Sequence, residues 1–235
     1  MKTNSLHIIL PVLNEEGNLA PLVKKLIKLV SPNRIFVIDD NSTDNTINVV
    51  KKLRKQHTQV KLIVNKIPLG LTASIQKGID SSSSALVAWM DADFSHPPET
   101  LRKMLLKIQT YDIVIGSWLV RGGSDNRNEK TVKIISFLIN KLCNILFFPG
   151  ITAYTSGFIL CRRKVIQKIR LQGDYGEYCI DLLVRSVKLN FTTVEVPFIC
   201  KSRKVGISKT SPNPAVYIRK GLKYLKLVIS LLIFG

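Results

Sequence analysis

Three times within about ninety residues, a short apolar run stops abruptly at acidic and amide side chains. Leu6 to Val12 runs into Asn14-Glu15-Glu16, Arg34 to Ile38 into Asp39-Asp40-Asn41-Ser42-Thr43-Asp44, and Ala85 to Met90 into Asp91-Ala92-Asp93. Runs this short and this apolar suit strands buried on both faces of a parallel sheet. Helical periodicity fills the gaps, from Glu16 to Val30, from Thr46 to Gln56 and, after a further strand at Val60 to Val64, from Leu71 to Ser81. Asn14 is placed to cap the first helix, with Glu15 and Glu16 at the positive end of its dipole. Parallel strands joined by helical crossovers build a doubly wound α/β sheet, whose ligands bind beyond the carboxyl ends of the strands. All three acidic turns fall on that edge.

Asp91 and Asp93 carry the most specific chemistry. Carboxylates one residue apart at a strand end point to the same side and can share one divalent cation, Mg²⁺ or Mn²⁺, the usual way to hold a diphosphate leaving group. This favours metal-assisted sugar transfer from a nucleotide. A solvated turn would look the same in isolation, and the clustering of acidic turns on one edge is what favours a site. His96, beside Pro97-Pro98, reads as a turn residue, because no second histidine stands at metal-ligand spacing.

A formal net charge of +19 calls for anionic partners. The basic residues are scattered and show no aromatic-basic module, which argues against nucleic acid and for phosphorylated substrates and a membrane surface. Arg219, Lys220, Lys223 and Lys226 lead into Leu227-Val228-Ile229-Ser230-Leu231-Leu232-Ile233-Phe234-Gly235. That run is too short to span a bilayer, so residues 213–235 read as a membrane-associating tail after a domain of residues 1–212. The alternative is a C-terminal helix packed on the domain. Cys143, Cys161, Cys179 and Cys200 form no CxxC pair and read as reduced core thiols, and the N-terminus lacks a signal-peptide pattern. Both suit the cytoplasmic face of a membrane.

The ordered motifs Ile9-Leu10-Pro11-Val12-Leu13-Asn14-Glu15, Val37-Ile38-Asp39-Asp40-Asn41-Ser42, Met90 to Glu99, Asp112 to Ser117, Thr155-Ser156-Gly157-Phe158, Val194-Glu195-Val196-Pro197 and Arg203 to Lys209 are together far more specific than any one of them. Across about residues 6 to 210 the chain resembles the family 2 glycosyltransferases of GT-A fold, and among them the dolichyl- or polyprenyl-phosphate mannose synthases. The resemblance implies that Pro11, Leu13, Glu15, Ile38, Asp40 and Asp91 bind the nucleotide sugar, with GDP-mannose the favoured donor. It implies that Asp91, Asp93 and Ser95 surround the metal, and that Asp93, Arg203 and Asp181 serve catalysis. Arg203, Ser208, Lys209 and Arg121 would hold the phosphate of a polyprenyl or dolichyl acceptor, and a separate membrane-anchoring subunit is a further partner to expect.

The chain also departs from that pattern. Many relatives carry Arg where this chain has Trp118, and a basic residue near Val132. Arg121, Arg127, Lys130 and Lys133 lie close enough in sequence to substitute. Gly122 to Asn128 reads as a mobile loop over the site, and Ile134 to Phe148 as an amphipathic helix lying on the bilayer. The missing arginines leave open a UDP-glucose-dependent enzyme, an enzyme with another acceptor, and a non-catalytic nucleotide-sugar or lipid-phosphate binding protein.

Overall fold

Strand β1 (Leu6–Val12) lies inside the sheet, paired in parallel with β2 (Arg34–Asp39) on one side and β4 (Leu86–Trp89) on the other. Its alternating side chains feed two cores. Ile8 and Leu10 pack with α1 (Glu16–Val30), while Ile9 packs with α3 (Leu71–Asp80). On α3, a Cβ at Gly78 would come within 2.5 Å of the Ile9 side chain, so the missing side chain is what allows helix and sheet to approach so closely. The computed structural model describes residues 5–202 and 214–233, without the side chains of 214–220.

With α2 (Thr46–Gln56) and β3 (Val60–Val64), these elements give the parallel order β3-β2-β1-β4 expected from the alternating pattern. The sheet continues through β7 (Ile159–Arg162), β5 (Ile113–Ser117) and β8 (Thr193–Pro197). The sheet is mostly parallel, and β7 departs from it by running antiparallel to both β4 and β5. Its reversed direction has a functional consequence. The chain enters β7 from the edge where β4 and β5 end, and so brings Thr155 and Gly157 to the same edge as Asp91.

Helices α4 (Thr100–Lys107), α6 (Arg163–Lys168) and α7 (Tyr178–Lys188) cover the sheet. The segment expected to be a mobile loop is pinned instead. Within it β6 (Ser124–Asn126) pairs with β9 (Ile199–Lys201) in a separate two-stranded sheet.

Two helices frame that end of the molecule. The inner face of α5 (Lys130–Leu146) buries Asn140 and Cys143, while Ile134, Phe137, Leu138, Leu142, Ile145 and Leu146 on its outer face are exposed. α8 (Pro214–Ile233) contacts α5 and α7 and buries Val228 and Leu231, leaving Leu222, Leu225, Ile229, Leu232 and Ile233 exposed. Among the described residues no helix is long and apolar enough to cross a membrane.

Candidate active site

The loops after β1 and β2 hold each other in place. Asn14 adopts a left-handed conformation with φ of 52° and does not cap α1. Its Oδ1 accepts instead from the backbone N–H groups of Thr43 at 2.8 Å and Asp44 at 3.3 Å, and Glu15 occupies the cap position. The Glu15 N–H donates to Thr46 Oγ1 and its carboxylate accepts from Asn18. Asp40 accepts from Asn65 Nδ2 at 2.8 Å, Leu69 N–H at 2.8 Å and Gly70 N–H at 2.9 Å. These bonds use three of the carboxylate's about four acceptor positions, so Asp40 organises the 65–70 turn and keeps little capacity for a ligand. Asp39 is fully buried, with Oδ1 accepting from Ser42 N–H and Oδ2 lacking a hydrogen-bond partner among the described residues.

The turn after β4 is built around His96. Its Nδ1 accepts the Asp91 N–H at 3.1 Å, which leaves Nε2 as the ring's donor nitrogen, and Asp91 Oδ2 lies 4.0 Å from Nδ1. The imidazole stacks on Phe158 at 5.0 Å and meets Phe198 edge-on at 5.6 Å. His96 is therefore a turn residue, as expected, and also a structural pin for the acidic turn. Phe94 takes a left-handed φ of 66°, and the Ser95 N–H donates to Asp93 Oδ1 at 3.0 Å. The Asp91 side chain is 47% exposed whereas Asp93 is buried, and both face a cavity of about 270 Å³ together with Ser95 and His96.

That cavity extends from the acidic turn to α5 and α8. Trp118, Arg127, Ile135, Tyr178, Lys201 and Tyr224 form much of its wall. Glu195 on β8 accepts from the N–H groups of Thr152 and Ala153, while Asn140 on α5 accepts from Thr155 N–H and donates to Thr155 Oγ1, fixing the loop that carries Thr155 and Gly157. The Cys179 and Cys200 thiols on the wall are pushed up to about 12 by burial and stay protonated.

A metal would fit this edge in one particular way. Among the described residues no group of three or more His, Cys, Asp or Glu side chains could enclose an ion. Asp91 and Asp93 offer hard oxygen ligands and leave the remaining positions to substrate phosphates and water, as Mg²⁺ and Mn²⁺ sites commonly do.

Residues 7–170 match the model of the glycosyl transferase family 2. The chain is a family 2 glycosyltransferase. This enzyme is 32% identical over 212 residues to the polyprenol monophosphomannose synthase of Mycolicibacterium smegmatis, covering 87% of this chain and 80% of that protein. It is 30% identical over 211 residues to the undecaprenyl-phosphate mannosyltransferase of Micrococcus luteus, covering 86% of each. Among solved structures, glucosyl-3-phosphoglycerate synthase from Mycobacterium tuberculosis in complex with Mn²⁺, uridine diphosphate and phosphoglyceric acid superposes with a TM-score of 0.72 at 15% identity, over 99% of this chain and 80% of that one. At that identity the likeness establishes the GT-A-like fold alone.

The glycosyltransferase brings some expected site residues together and separates others. Asp91, Asp93 and Ser95 share the cavity, while Pro11, Leu13, Glu15 and Asp40 lie along the neighbouring strand ends outside its wall. Ile38 pairs with Pro11 in register, but its side chain is wholly buried with Ile9 and Ile75 and has no surface to offer a nucleotide. Asp181 does not face the cavity as expected. Its carboxylate is buried against Arg185 at 3.1 Å, and burial raises its pKa while Arg185 opposes that shift. Arg121 is exposed and off the wall, whereas Arg127 is on it. Arg203, Ser208 and Lys209 lie outside the described residues. The wall residues Tyr175, Tyr178 and Tyr224 had no sequence signal beyond being aromatic.

Proposed function

We propose that the chain transfers mannose from GDP-mannose to a polyprenyl phosphate, with inversion, at the cytoplasmic face of a membrane. The observation that carries this reading is one continuous cavity with the Asp91/Asp93 pair at one end and the apolar-backed helices α5 and α8 at the other. A water-soluble diphosphate and a lipid phosphate could meet there. Both mannosyltransferase relatives, named for polyprenol and undecaprenyl phosphate, support the same acceptor class.

Asp91 and Asp93 would hold the divalent cation, Mg²⁺ or Mn²⁺, which offsets charge on the nucleoside diphosphate as its bond to the sugar breaks. His96 holds the Asp91 backbone, and the Ser95 N–H holds the Asp93 carboxylate. The acceptor's phosphate oxygen is already anionic near neutral pH, so it can attack the anomeric carbon without a strong general base. Positioning and charge neutralisation then carry the catalysis. Arg203, Ser208 and Lys209 follow Lys201 and Ser202 of the cavity wall closely in sequence and are proposed as donors to that phosphate. Glu15 and Asp40 are proposed to frame the nucleoside, Asp40 through the turn it organises.

The exposed apolar stripes of α5 and α8 would rest in the headgroup region, with Lys223 and Lys226 near anionic lipid. Four buried free thiols suit a reducing compartment. A separate anchoring subunit would add to this seat.

The test is transfer of label from GDP-mannose, and in parallel UDP-glucose, to polyprenyl phosphate in detergent, with Mg²⁺ or Mn²⁺ and with chelator. Metal-dependent label in the organic phase from GDP-mannose is expected. Transfer from UDP-glucose alone would overturn the donor, and nucleotide binding without any transfer would overturn the lipid acceptor.

A further inference from the structure

We infer that Arg127 grips the phosphate of the acceptor, with Asp125 and Trp118 holding its guanidinium ready; the inference rests on the lipid-phosphate reading above. Among the described residues of the cavity wall, the Lys and Arg cations are Arg127 and Lys201. Lys201 is exposed, and its ammonium is a point charge on a flexible stem. Arg127 is different. Its Nε donates to Asp125 Oδ1 at 2.9 Å and its Nη2 to Oδ2 at 2.5 Å, and the guanidinium carbon stands 5.5 Å from the centre of the Trp118 ring.

This clamp uses only one edge of the guanidinium. Two of its about five N–H donors go to Asp125, which leaves the other edge for the two-point contact that a phosphate accepts. The backbone beneath is fixed as well. Asn128 N–H donates to Ser202 Oγ, Lys133 Nζ donates to the Arg127 carbonyl, and β6 is bonded to β9. An arginine fixed in this way loses little side-chain freedom on binding an anion.

The clamp is also joined to the metal end of the cavity by unbroken packing. Trp118 meets Phe198 edge-on at 5.9 Å, Phe198 meets His96 at 5.6 Å, and His96 accepts the Asp91 N–H. Arg127, Cys200, Asp91 and Asp93 all line this one cavity. A phosphate held on Arg127 would thus share one cavity with Asp91 and Asp93. A simpler role exists, in which the pair only stiffens the 122–128 turn.

Two measurements separate the roles. Binding of a short-chain isoprenyl phosphate is followed by tryptophan fluorescence, for which Trp118 on the wall is the reporter and Trp89 is fully buried. Steady-state KM is measured separately for donor and acceptor. Arg127→Gln is expected to raise the Kd and KM for the isoprenyl phosphate about 10- to 100-fold, the range for lost hydrogen bonds to a charged group, with donor KM within about twofold of wild type. Arg127→Lys should recover part of the loss, and Asp125→Asn should weaken acceptor binding less than Arg127→Gln.

An unchanged acceptor KM in Arg127→Gln, or an equal loss for donor and acceptor, would overturn the inference while wild-type transfer still upheld the parent reading. A wild-type protein that neither binds the isoprenyl phosphate nor transfers to it would overturn both.

Discussion

At the carboxyl edge of β1 and β2, polar groups from distant loops are bound to one another. Asn14 ties to Thr43 and Asp44, Asp39 to Ser42, and Asp40 to Asn65, Leu69 and Gly70. On the outer faces of α5 and α8 the opposite holds, and Ile134, Phe137, Leu138, Ile145, Leu225 and Leu232 are exposed. Apart from Asp39 Oδ2, the first region satisfies itself, and a rigid polar edge of this kind suits a water-soluble ligand that must fit a fixed shape. The second is unfinished in water, because contiguous exposed apolar surface marks a face that meets something else. The cavity runs from Leu71 and the acidic turn, next to the first region, to the two helices of the second, so each half can be broken separately.

The largest effect is expected where the halves meet. Asp93→Asn keeps an oxygen for the Ser95 N–H but removes a charge from the carboxylate pair. Because metal-borne charge stabilisation is worth several kcal/mol, turnover should fall about 100-fold or more while the melting temperature stays within a few degrees of wild type. Parallel assays of metal-dependent transfer and thermal unfolding would check this. Full turnover in the folded variant would remove the metal assignment.

The next effect falls on the apolar half alone. Phe137→Ser combined with Leu138→Ser removes two outward side chains, 52% and 58% exposed, which contribute little to the folded core. Full burial of such side chains is worth about 1.5–3 kcal/mol each, so even partial insertion predicts about 10- to 100-fold weaker binding to anionic phospholipid vesicles. Transfer to a short-chain acceptor in solution should be retained. Equal vesicle binding by the double variant and wild type would mean that this face does not meet lipid.

The same contrast explains what could be read from the sequence. β1 to β4 were legible because buried parallel strands are continuous apolar runs and their crossovers carry helical periodicity. The acidic turns followed directly, since they end those runs. The direction of β7 was not legible, because Ile159-Leu160-Cys161-Arg162 reads the same in either sense. His96 was read as a turn residue, but its pinning role was not legible, since that depends on Phe158 and Phe198, which reach it only through β7 and the segment after β8. Asn14 looked like a helix cap because its competing partners, Thr43 and Asp44, come from the next loop. Local patterns carried the elements, and contacts across the sheet decided the roles.

A smaller effect would sharpen the polar half. Asp39→Asn keeps the acceptor for the Ser42 N–H and removes a buried negative charge whose second oxygen has no hydrogen-bond partner among the described residues. Burying such an oxygen costs about 1–3 kcal/mol, so the variant should unfold at the same or a higher temperature. If that cost is tolerated for donor binding, donor KM should rise about threefold or more with acceptor KM unchanged. A clear loss of stability would show instead that the charge supports the loop itself.

The smallest effect on transfer concerns the thiols where the halves join. Cys179 and Cys200 lie on the cavity wall, and burial pushes both up to about 12. The sign is simple, since only the thiolate is alkylated and raising the pKa empties that form. At pH 8 a group near 12 is ionised to roughly 1 part in 10⁴, against about a quarter for an ordinary cysteine near 8.5. Iodoacetamide should therefore modify native Cys179 and Cys200 roughly a thousandfold or more slowly than the denatured chain, with no loss of transfer over the same interval. Peptide mapping of the alkylated protein checks the rate. Fast native labelling at Cys200 would show that the β6–β9 sheet opens readily, and the cation clamp built on it could not then be rigid.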